Sequence, residues 1–341
     1  MNKVAVIILN WNGQALMERY LPSVLSRTQM AGAEVVVADN GSTDGSVDWL
    51  QTQYPGLRLV LLDRNYGFAE GYNRAVEAVE AEYVVLLNSD IEVAENWLEP
   101  LVGYMDGHPE VAACQPKILS DRNREYFEHA GAAGGFIDRL GYPFCRGRIQ
   151  SMVEKDRGQY DTVMDVFWTT GACLMIRRRD YLEAGGLDAD FFAHMEEIDL
   201  CWRLRLAGRR LVCLPESRVY HLGGGTLNAQ NPRKTFLNFR NNLLMLYKNL
   251  PAERLRSVMW QRWVLDMVAA VFFLLKGETG NFSAVFKARR AYRQMKPLMH
   301  AKRAEIQARA GRHRIPEIYP GISTLDFFLK GRKTFDQLRF K

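Results

Sequence analysis

The chain has 341 residues, 48% of them hydrophobic and 25% charged, which suits one large domain with an appendage or two modest domains and excludes wholesale disorder. Its five cysteines are odd in number and show no CxxC spacing, which argues against a disulfide framework or a zinc knuckle and for a reducing cytoplasm. The net charge of +6 is uneven: residues 251–341 hold 19 Lys/Arg against 7 Asp/Glu, and residues 1–250 hold 26 against 32. An acidic body of residues 1–250 is therefore expected, followed by a basic region of residues 251–341.

The amino terminus, MNKVAVIILNWNG, reads as a strand and lacks the apolar length and cleavage site of a secretory signal. Val4 to Leu9 is that strand, and a helical stretch follows from Ala15 to Ser26. Glu34 to Ala38 is a second strand, Ser46 to Gln53 a helix, and Leu57 to Leu62 a third strand. Asn65-Tyr66-Gly67 opens a helix through Ala78. Tyr83 to Leu87 is a fourth strand, apolar throughout and so buried on both faces. This βαβαβαβ rhythm predicts a doubly wound, mostly parallel α/β sheet with helices on both faces.

Polar residues follow the carboxyl end of each of the four strands: Asn10, Asp39, Asn65 and Asp90. A single such residue is a turn former. Four on one edge predict a pocket, because ligands of open α/β sheets bind at that edge. No GxGxxG follows the first strand and no GxxxxGK[ST] occurs, so dinucleotide and P-loop readings lack their phosphate cradles.

Residues 103–157 give weaker signals, with loops or a hairpin around Gly131–Gly135. Val163 to Ile176 reads as strand, turn and strand, with Thr169-Thr170-Gly171 at the turn. A helix then opens at Glu196-Glu197 and carries an apolar stripe of Leu200, Cys201, Leu204 and Ala207, with Gly208 at its end. Glu196 and Glu197 would face the positive end of the helix dipole, and Asp199 and Arg203 would form a surface pair. Leu211 to Leu214 reads as a short strand, and His221 precedes Gly223-Gly224-Gly225, where backbone can approach a phosphate closely.

From Leu250 onward the pattern is helical and cationic. Trp260, Trp263, Val264, Met267, Val268, Val271, Phe272 and Leu275 form an apolar face. Its uncharged run from Met267 to Leu275 falls short of the roughly 20 residues that span a bilayer. Basic and amphipathic together predict a peripheral contact with an anionic membrane; packing on the body with a solvated cationic face is the alternative. No nucleic-acid recognition motif is present.

The chain resembles the family 2 glycosyltransferases with the GT-A fold. The stretches that carry the resemblance are VAVIILNWNG, VVVADNGSTDGS, NYGFAEGYNRA, LLNSDIEV, HMEEIDLCWRLRLAGRRL and YHLGGGT. They lie in the family's order across residues 3–225. The following RKTFLNFRNNLLMLYKNLP is similar to a rhamnosyltransferase-like branch that builds bacterial surface polysaccharide. The resemblance implies a nucleotide-sugar donor of the dTDP-rhamnose or UDP-sugar class, a divalent cation (Mg2+ or Mn2+) and inverting transfer to a hydroxyl of a glycan or lipid-linked acceptor.

Within that resemblance, Asp90 and His221 match metal or diphosphate positions, and Asn88 stands where many members have a first Asp. Glu92 is an outlying metal candidate. Asp39 matches the nucleobase contact, and Asn10, Asn65, Gly67, Asn73, Asn88 and Ser89 complete the implied donor set. Glu197 matches the base, and Glu196, Trp168, Thr169 and Thr170 the acceptor side. Two other readings remain: a nucleotidyltransferase, for which Asn10-Trp11-Asn12-Gly13 lacks the usual basic Gly-rich loop, and a non-catalytic glycan-binding scaffold of the same fold.

Overall fold

The computed structural model describes residues 2–223, 231–311 and 314–340. Its first half alternates as the sequence predicts: β1 (Asn2–Asn10), α1 (Gln14–Arg27), β2 (Ala33–Asp39), α2 (Ser46–Gln53), β3 (Arg58–Leu61), α3 (Gly67–Glu77) and β4 (Ala81–Asn88). Then come β5 (Ile91–Val93), α4 (Glu99–Gly107), β6 (Val111–Ser120), β7 (Gly135–Asp138), β8 (Pro143–Cys145), β9 (Arg148–Ile149), β10 (Met152–Val153) and β11 (Met164–Asp165). The remainder is β12 (Cys173–Arg177), α5 (Arg178–Glu183), α6 (Glu196–Leu206), β13 (Arg210–His221), α7 (Pro232–Asn249), α8 (Ala252–Leu275), α9 (Thr279–Arg309), β14 (Ile318–Tyr319) and α10 (Ser323–Leu329).

The main sheet runs β11-β13-β6-β12-β4-β1-β2-β3, with β5 also on β13. β1 to β4 are mutually parallel, β6 and β13 are parallel to each other, and β12 enters antiparallel between β4 and β6. The period of two along β1 divides the core. Ala5 and Ile7 pack with Ala69, Tyr72 and Val76 of α3, while Val4, Val6 and Ile8 pack with Met17 and Leu21 of α1 and Leu101 of α4. Helices therefore cover both faces.

Three expectations change. Residues 103–157 contain a ten-residue central strand, β6, which Pro116 and Lys117 disguise, since an interior Pro argues against a central strand. Pro116 is tolerated because the β13 register shifts beside it, between Leu214 and Arg218; Lys117 is buried and paired with Asp156 at 2.7 Å. The 163–176 stretch has the two expected strands, but they do not pair with each other: β11 pairs with β13, and β12 is inserted between two other strands. The short strand expected at Leu211–Leu214 is the start of β13, whose far end carries His221.

α6 ends as expected. Gly208 takes φ +84, and the Arg209 and Gly208 amides close on the Leu204 and Arg205 carbonyls at 3.0 Å each, a Schellman end. Asp199 and Arg203 do pair, at 2.9 Å, but in the interior and not at the surface. Asp199 is fully buried and also accepts from Lys248 Nζ and Asn249 Nδ2, both at 2.8 Å, which locks α6 to α7.

Residues 251–340 pack onto the body. β14 adds to β7 in a second sheet, β10-β9-β8-β7-β14. Lys302 of α9 bridges Asp188 and Asp190 at 2.6 Å, and Ser323 donates to the buried Asp138 at 2.8 Å. In α8, Asp266 has no exposure and sits between Arg262, at 3.4 Å, and Arg289 of α9. Asp266→Ala strands two largely buried guanidinium groups and should destabilise by about 3–5 kcal/mol. A thermal melt indistinguishable from the wild type would dismiss this triad as a structural element.

Candidate active site

The carboxyl edge of the sheet is held in shape by the side chains of its own loops. Asp39 ends β2 buried and accepts from Asn10 Nδ2 at 2.9 Å and from the Ser42 amide at 2.8 Å. Asn12, at φ +50, accepts from the Thr43 amide at 2.7 Å. Asn65 accepts from Asn40 Nδ2 at 3.1 Å and the Gly67 amide at 2.8 Å, which starts α3. Gly67 has φ +81, and a Cβ there would lie 2.6 Å from the Phe192 ring; only glycine fits. The first, second and third strand loops thus form one connected rim.

The fourth loop joins a distant strand. His221 Nε2 lies 3.1 Å from Asp90 Oδ1 and 3.5 Å from Asn88 Nδ2, and the Leu222 amide donates to the Asp90 carbonyl at 3.1 Å. On the other side of the ring, Nδ1 forms an ion pair with Glu128 Oε2 at 3.2 Å. Burial alone would lower the imidazole pKa, but Asp90 and Glu128 outweigh it and hold His221 up at about 10. An imidazolium between two buried carboxylates is the charge pattern a cation site adopts when a proton stands in for the metal.

These residues fit a divalent cation. Asp90 offers oxygen, His221 offers nitrogen once its proton is displaced, and Glu128 would orient the ring from behind. No group of three or more His, Cys, Asp or Glu that could hold a metal occurs among the described residues. Further ligands would have to come from donor phosphates, the usual arrangement for Mg2+. Glu92, the outlying candidate, is engaged elsewhere, with Arg27 at 3.1 Å and Arg124 at 2.5 Å.

Glu197 approaches the same strand end from α6. The Asn88 amide donates to the Ala172 carbonyl at 2.9 Å, and a Cβ on the adjacent Gly171 would lie 3.6 Å from Glu197 Cβ. Burial raises Glu197 to about 7 against backbone amides of the α6 amino terminus that lower it. Burial and then the Glu197 charge push Glu196 well above the usual carboxylate value. Neither Glu196 Oε2 nor Glu197 Oε2 has a hydrogen-bond partner among the described residues.

The approach to α6 is strained. Phe192, His194 and Met195 take φ +65, +71 and +74, each costing of order 1–3 kcal/mol. Asn241 of α7 holds this segment, donating through Nδ2 to the carbonyls of Phe191, Ala193 and His194 at 3.0, 2.8 and 2.7 Å. Sequence reasoning missed Asn241 and Glu128. Asn241 lay in a stretch read only for its resemblance, and Glu128 just before a glycine-rich loop without periodicity.

Several implied site residues have other roles. Asn73 is used in full by Tyr181 Oη and by the Leu187 amide and carbonyl, at 2.6–2.9 Å. It lines a hollow of about 680 Å3 with Asp180 and Arg209, below the Arg177 end of β12, which pairs with the start of β4; that is the edge opposite Asp90. Trp168 is buried and donates to the Phe136 carbonyl at 2.9 Å. Thr170 donates to the Ala130 carbonyl at 2.9 Å, and Thr169 lies against Cys201 Sγ. These three are buried, as is Glu196, so they offer no exposed acceptor platform. Ser89 is half-buried in the turn before Asp90. Gly224 and Gly225 lie outside the described residues. At the catalytic edge a hollow of about 560 Å3 is lined by Asn12, Gly13, Asp44 and Leu222.

This mixed sheet, with helices on both faces and a helical carboxyl-terminal region, matches the GT-A fold that the sequence resemblance implies. The Glycosyl transferase family 2 profile matches residues 5–184, and the chain belongs to that family. It is 27% identical over 232 residues to an N-acetylglucosaminyl-diphospho-decaprenol L-rhamnosyltransferase of Mycobacterium tuberculosis, covering 63% of this chain and 75% of that one. It is 26% identical over 201 residues to the rhamnosyltransferase WbbL of Escherichia coli, covering 56% and 73%. The O-antigen biosynthesis protein RfbC of Myxococcus xanthus is 29% identical over 222 residues; the match covers 64% of this chain but only 17% of RfbC. Among solved structures, GalNAc-T7 with UDP, GalNAc and Mn2+ shares the fold at TM-score 0.56 and 18% identity, over 73% of this chain and 48% of that one.

The raised Glu197 has a thermodynamic signature. A carboxyl whose folded pKa is about 7 against an ordinary 4.5 holds its proton more tightly when folded. The resulting stability is present below pH 4.5 and lost as pH rises through 7. Glu197→Gln should flatten that decline and be more stable than the wild type at pH 8, by roughly 2–3 kcal/mol. Urea melts of the ligand-free protein at both ends of the range check it, and parallel declines would contradict the burial argument.

Proposed function

We propose that this enzyme is an inverting, metal-dependent glycosyltransferase that moves a sugar from a dTDP-rhamnose- or UDP-sugar-class donor to a hydroxyl of a glycan or lipid-linked acceptor. Its place is the cytoplasmic side of a membrane, in the building of cell-surface polysaccharide. One observation carries the reading: an Asp90–His221 pair and a half-buried Glu197, whose Oε2 has no hydrogen-bond partner among the described residues, approach the end of the same strand from different elements.

In this reading Asp39 meets the nucleobase, with Asn10 fixing its carboxylate, while the Asn65–Gly67 turn shapes the rim. Asn88, Ser89, Asp90 and His221 receive the diphosphate end, where a bound Mg2+ or Mn2+ would neutralise charge on the departing diphosphate. Glu197 takes the proton of the acceptor hydroxyl as the new C–O bond forms. The anomeric C–O bond to phosphate breaks with its electron pair leaving on the diphosphate, through an oxocarbenium-like transition state. A base that titrates near 7 is matched to this task at neutral pH.

Two substitutions separate the roles. Asp90→Ala should abolish Mn2+-dependent donor binding in calorimetry. Glu197→Gln should bind donor as the wild type does, with kcat lowered about 10²–10⁴-fold. Donor affinity in Mn2+ unchanged by Asp90→Ala, or near wild-type turnover in Glu197→Gln, would remove the respective assignment. Release of pyrophosphate in place of a nucleoside diphosphate would transfer the protein to nucleotidyl chemistry.

A further inference from the structure

α8 is long and apolar enough, by length and composition, to cross a membrane, although the uncharged run in its sequence is short. Its two sides differ. Inward, Arg262 donates to the Leu140 carbonyl at 3.0 Å, reaches Asn242 and pairs with Asp266. Outward, Trp260, Val268 and Leu275 are 66%, 60% and 81% exposed, and Trp263, Val271 and Phe272 are about half exposed. This side carries no charge from Ser257 to Leu275, a stripe of about 27 Å at 1.5 Å per residue. So many large apolar side chains exposed along one helix face form a contiguous patch of the kind that marks a membrane or partner contact.

Cations accompany the stripe. Lys276 ends it, with Nζ 4.4 Å from the centre of the Phe272 ring. The neighbouring α9 exposes Lys287, Arg290 and Arg293, and none of the three makes an ion pair with a carboxylate among the described residues; Lys296 instead lies over the Tyr247 ring of α7, 5.3 Å from its centre.

We infer that the outward face of α8 lies in the plane of an anionic lipid bilayer, with Trp260 and Trp263 at the headgroup level and the α9 cations over lipid phosphates. The inference rests on the membrane-side reading above and names the surface responsible. A spanning arrangement is disfavoured because it would carry Arg262 and Asp266 toward the bilayer centre, at about 2.5–3.5 kcal/mol each, and would break the triad that holds α8 to α9. A second copy of the chain is a poorer occupant, since both partners would present a region with 12 excess positive charges. Anionic lipid satisfies both components, apolar burial and about 1 kcal/mol per basic residue near the surface.

The full chain should float with vesicles of phosphatidylglycerol and phosphatidylcholine and float poorly with phosphatidylcholine alone. The triple variant Trp260→Ser, Val268→Ser, Leu275→Ser should partition at least about tenfold less while binding donor in solution as the wild type does. Equal flotation of variant and wild type overturns the inference, as does a wild type that fails to float. A wild-type dimer that the triple variant dissociates, without flotation, would assign the face to a second copy and overturn it as well. Loss of donor binding in the wild type would strike the transferase reading and leave the flotation result intact.

A separate observation supports a second inference: Asn241 is a positioning residue for Glu197. Its single amide donates to three carbonyls of the strained segment leading into α6. Arg240 steadies it, donating to Asn241 Oδ1 at 2.8 Å and to the Phe191 carbonyl at 2.9 Å. Without that amide the left-handed residues can relax and the first turn of α6 can shift, and a displacement of about 1 Å at a reacting group costs around 10²-fold in rate. Asn241→Ala should lower kcat by at least about tenfold with donor KM within twofold, and should move the acidic limb of the pH–rate profile, which reports Glu197. Asn241→Asp, facing three carbonyls with a carboxylate, should be worse, and Asn241→Gln should recover part of the rate. Wild-type kcat in Asn241→Ala, or a kcat loss with an unmoved pH profile, overturns it.

Discussion

The contact between His221 and Asp90 closes the site. Asp90 stands after β4 in the parallel half of the sheet, and His221 ends β13, 131 residues later. Backbone pairing brings them together: β5, which begins right after Asp90, runs antiparallel to the last three residues of β13. The position of the putting-together is therefore set by strand register, and a one-residue slip would turn His221 to the opposite face. Glu128 makes the arrangement a chain of carboxylate, imidazole and carboxylate, so the ring is held from both sides before any ligand arrives.

Strain supplies the other half. A positive φ ordinarily falls to a permissive residue such as glycine, but before α6 it is taken by Phe192, His194 and Met195. The same Phe192 accepts from the Phe68 amide through its carbonyl, at 2.9 Å, and its ring fills the space beside Gly67. The segment that presents Glu197 is thus bound to the turn that starts α3 as well as to Asn241. Glu197, the rim of strand-end loops and α7 form one mechanical unit, in which strain at one segment is balanced by hydrogen bonds from two others.

The parts legible in the sequence were those with a period. β1 to β4 and their helices alternate cleanly, and the polar residues at the strand ends followed from that rhythm. What stayed hidden depended on tertiary contact. β6 contains Pro116 and Lys117, and nothing local shows that a register shift and Asp156 accommodate them. Asn73 lies one and a half turns into α3, where spacing alone cannot say that its amide meets Leu187 rather than a ligand. Trp168, Thr169 and Thr170 sit at a turn in the sequence, yet burial turns their polar atoms inward.

Charge counting was informative about the carboxyl-terminal region and incomplete. The excess of Lys and Arg marks a region distinct in composition, but many of these residues face inward: Lys302 and Arg289 each meet a buried Asp of another element. Lys302 ties residues 251–340 to Asp188 and Asp190 of the body and Arg289 ties α9 to Asp266 of α8, while exposed cations on α9 lack carboxylate partners among the described residues. One composition therefore serves two interfaces. The inward set fixes the orientation of α8, and only a helix fixed in that way can keep a broad apolar face turned to the outside instead of folding it into the core.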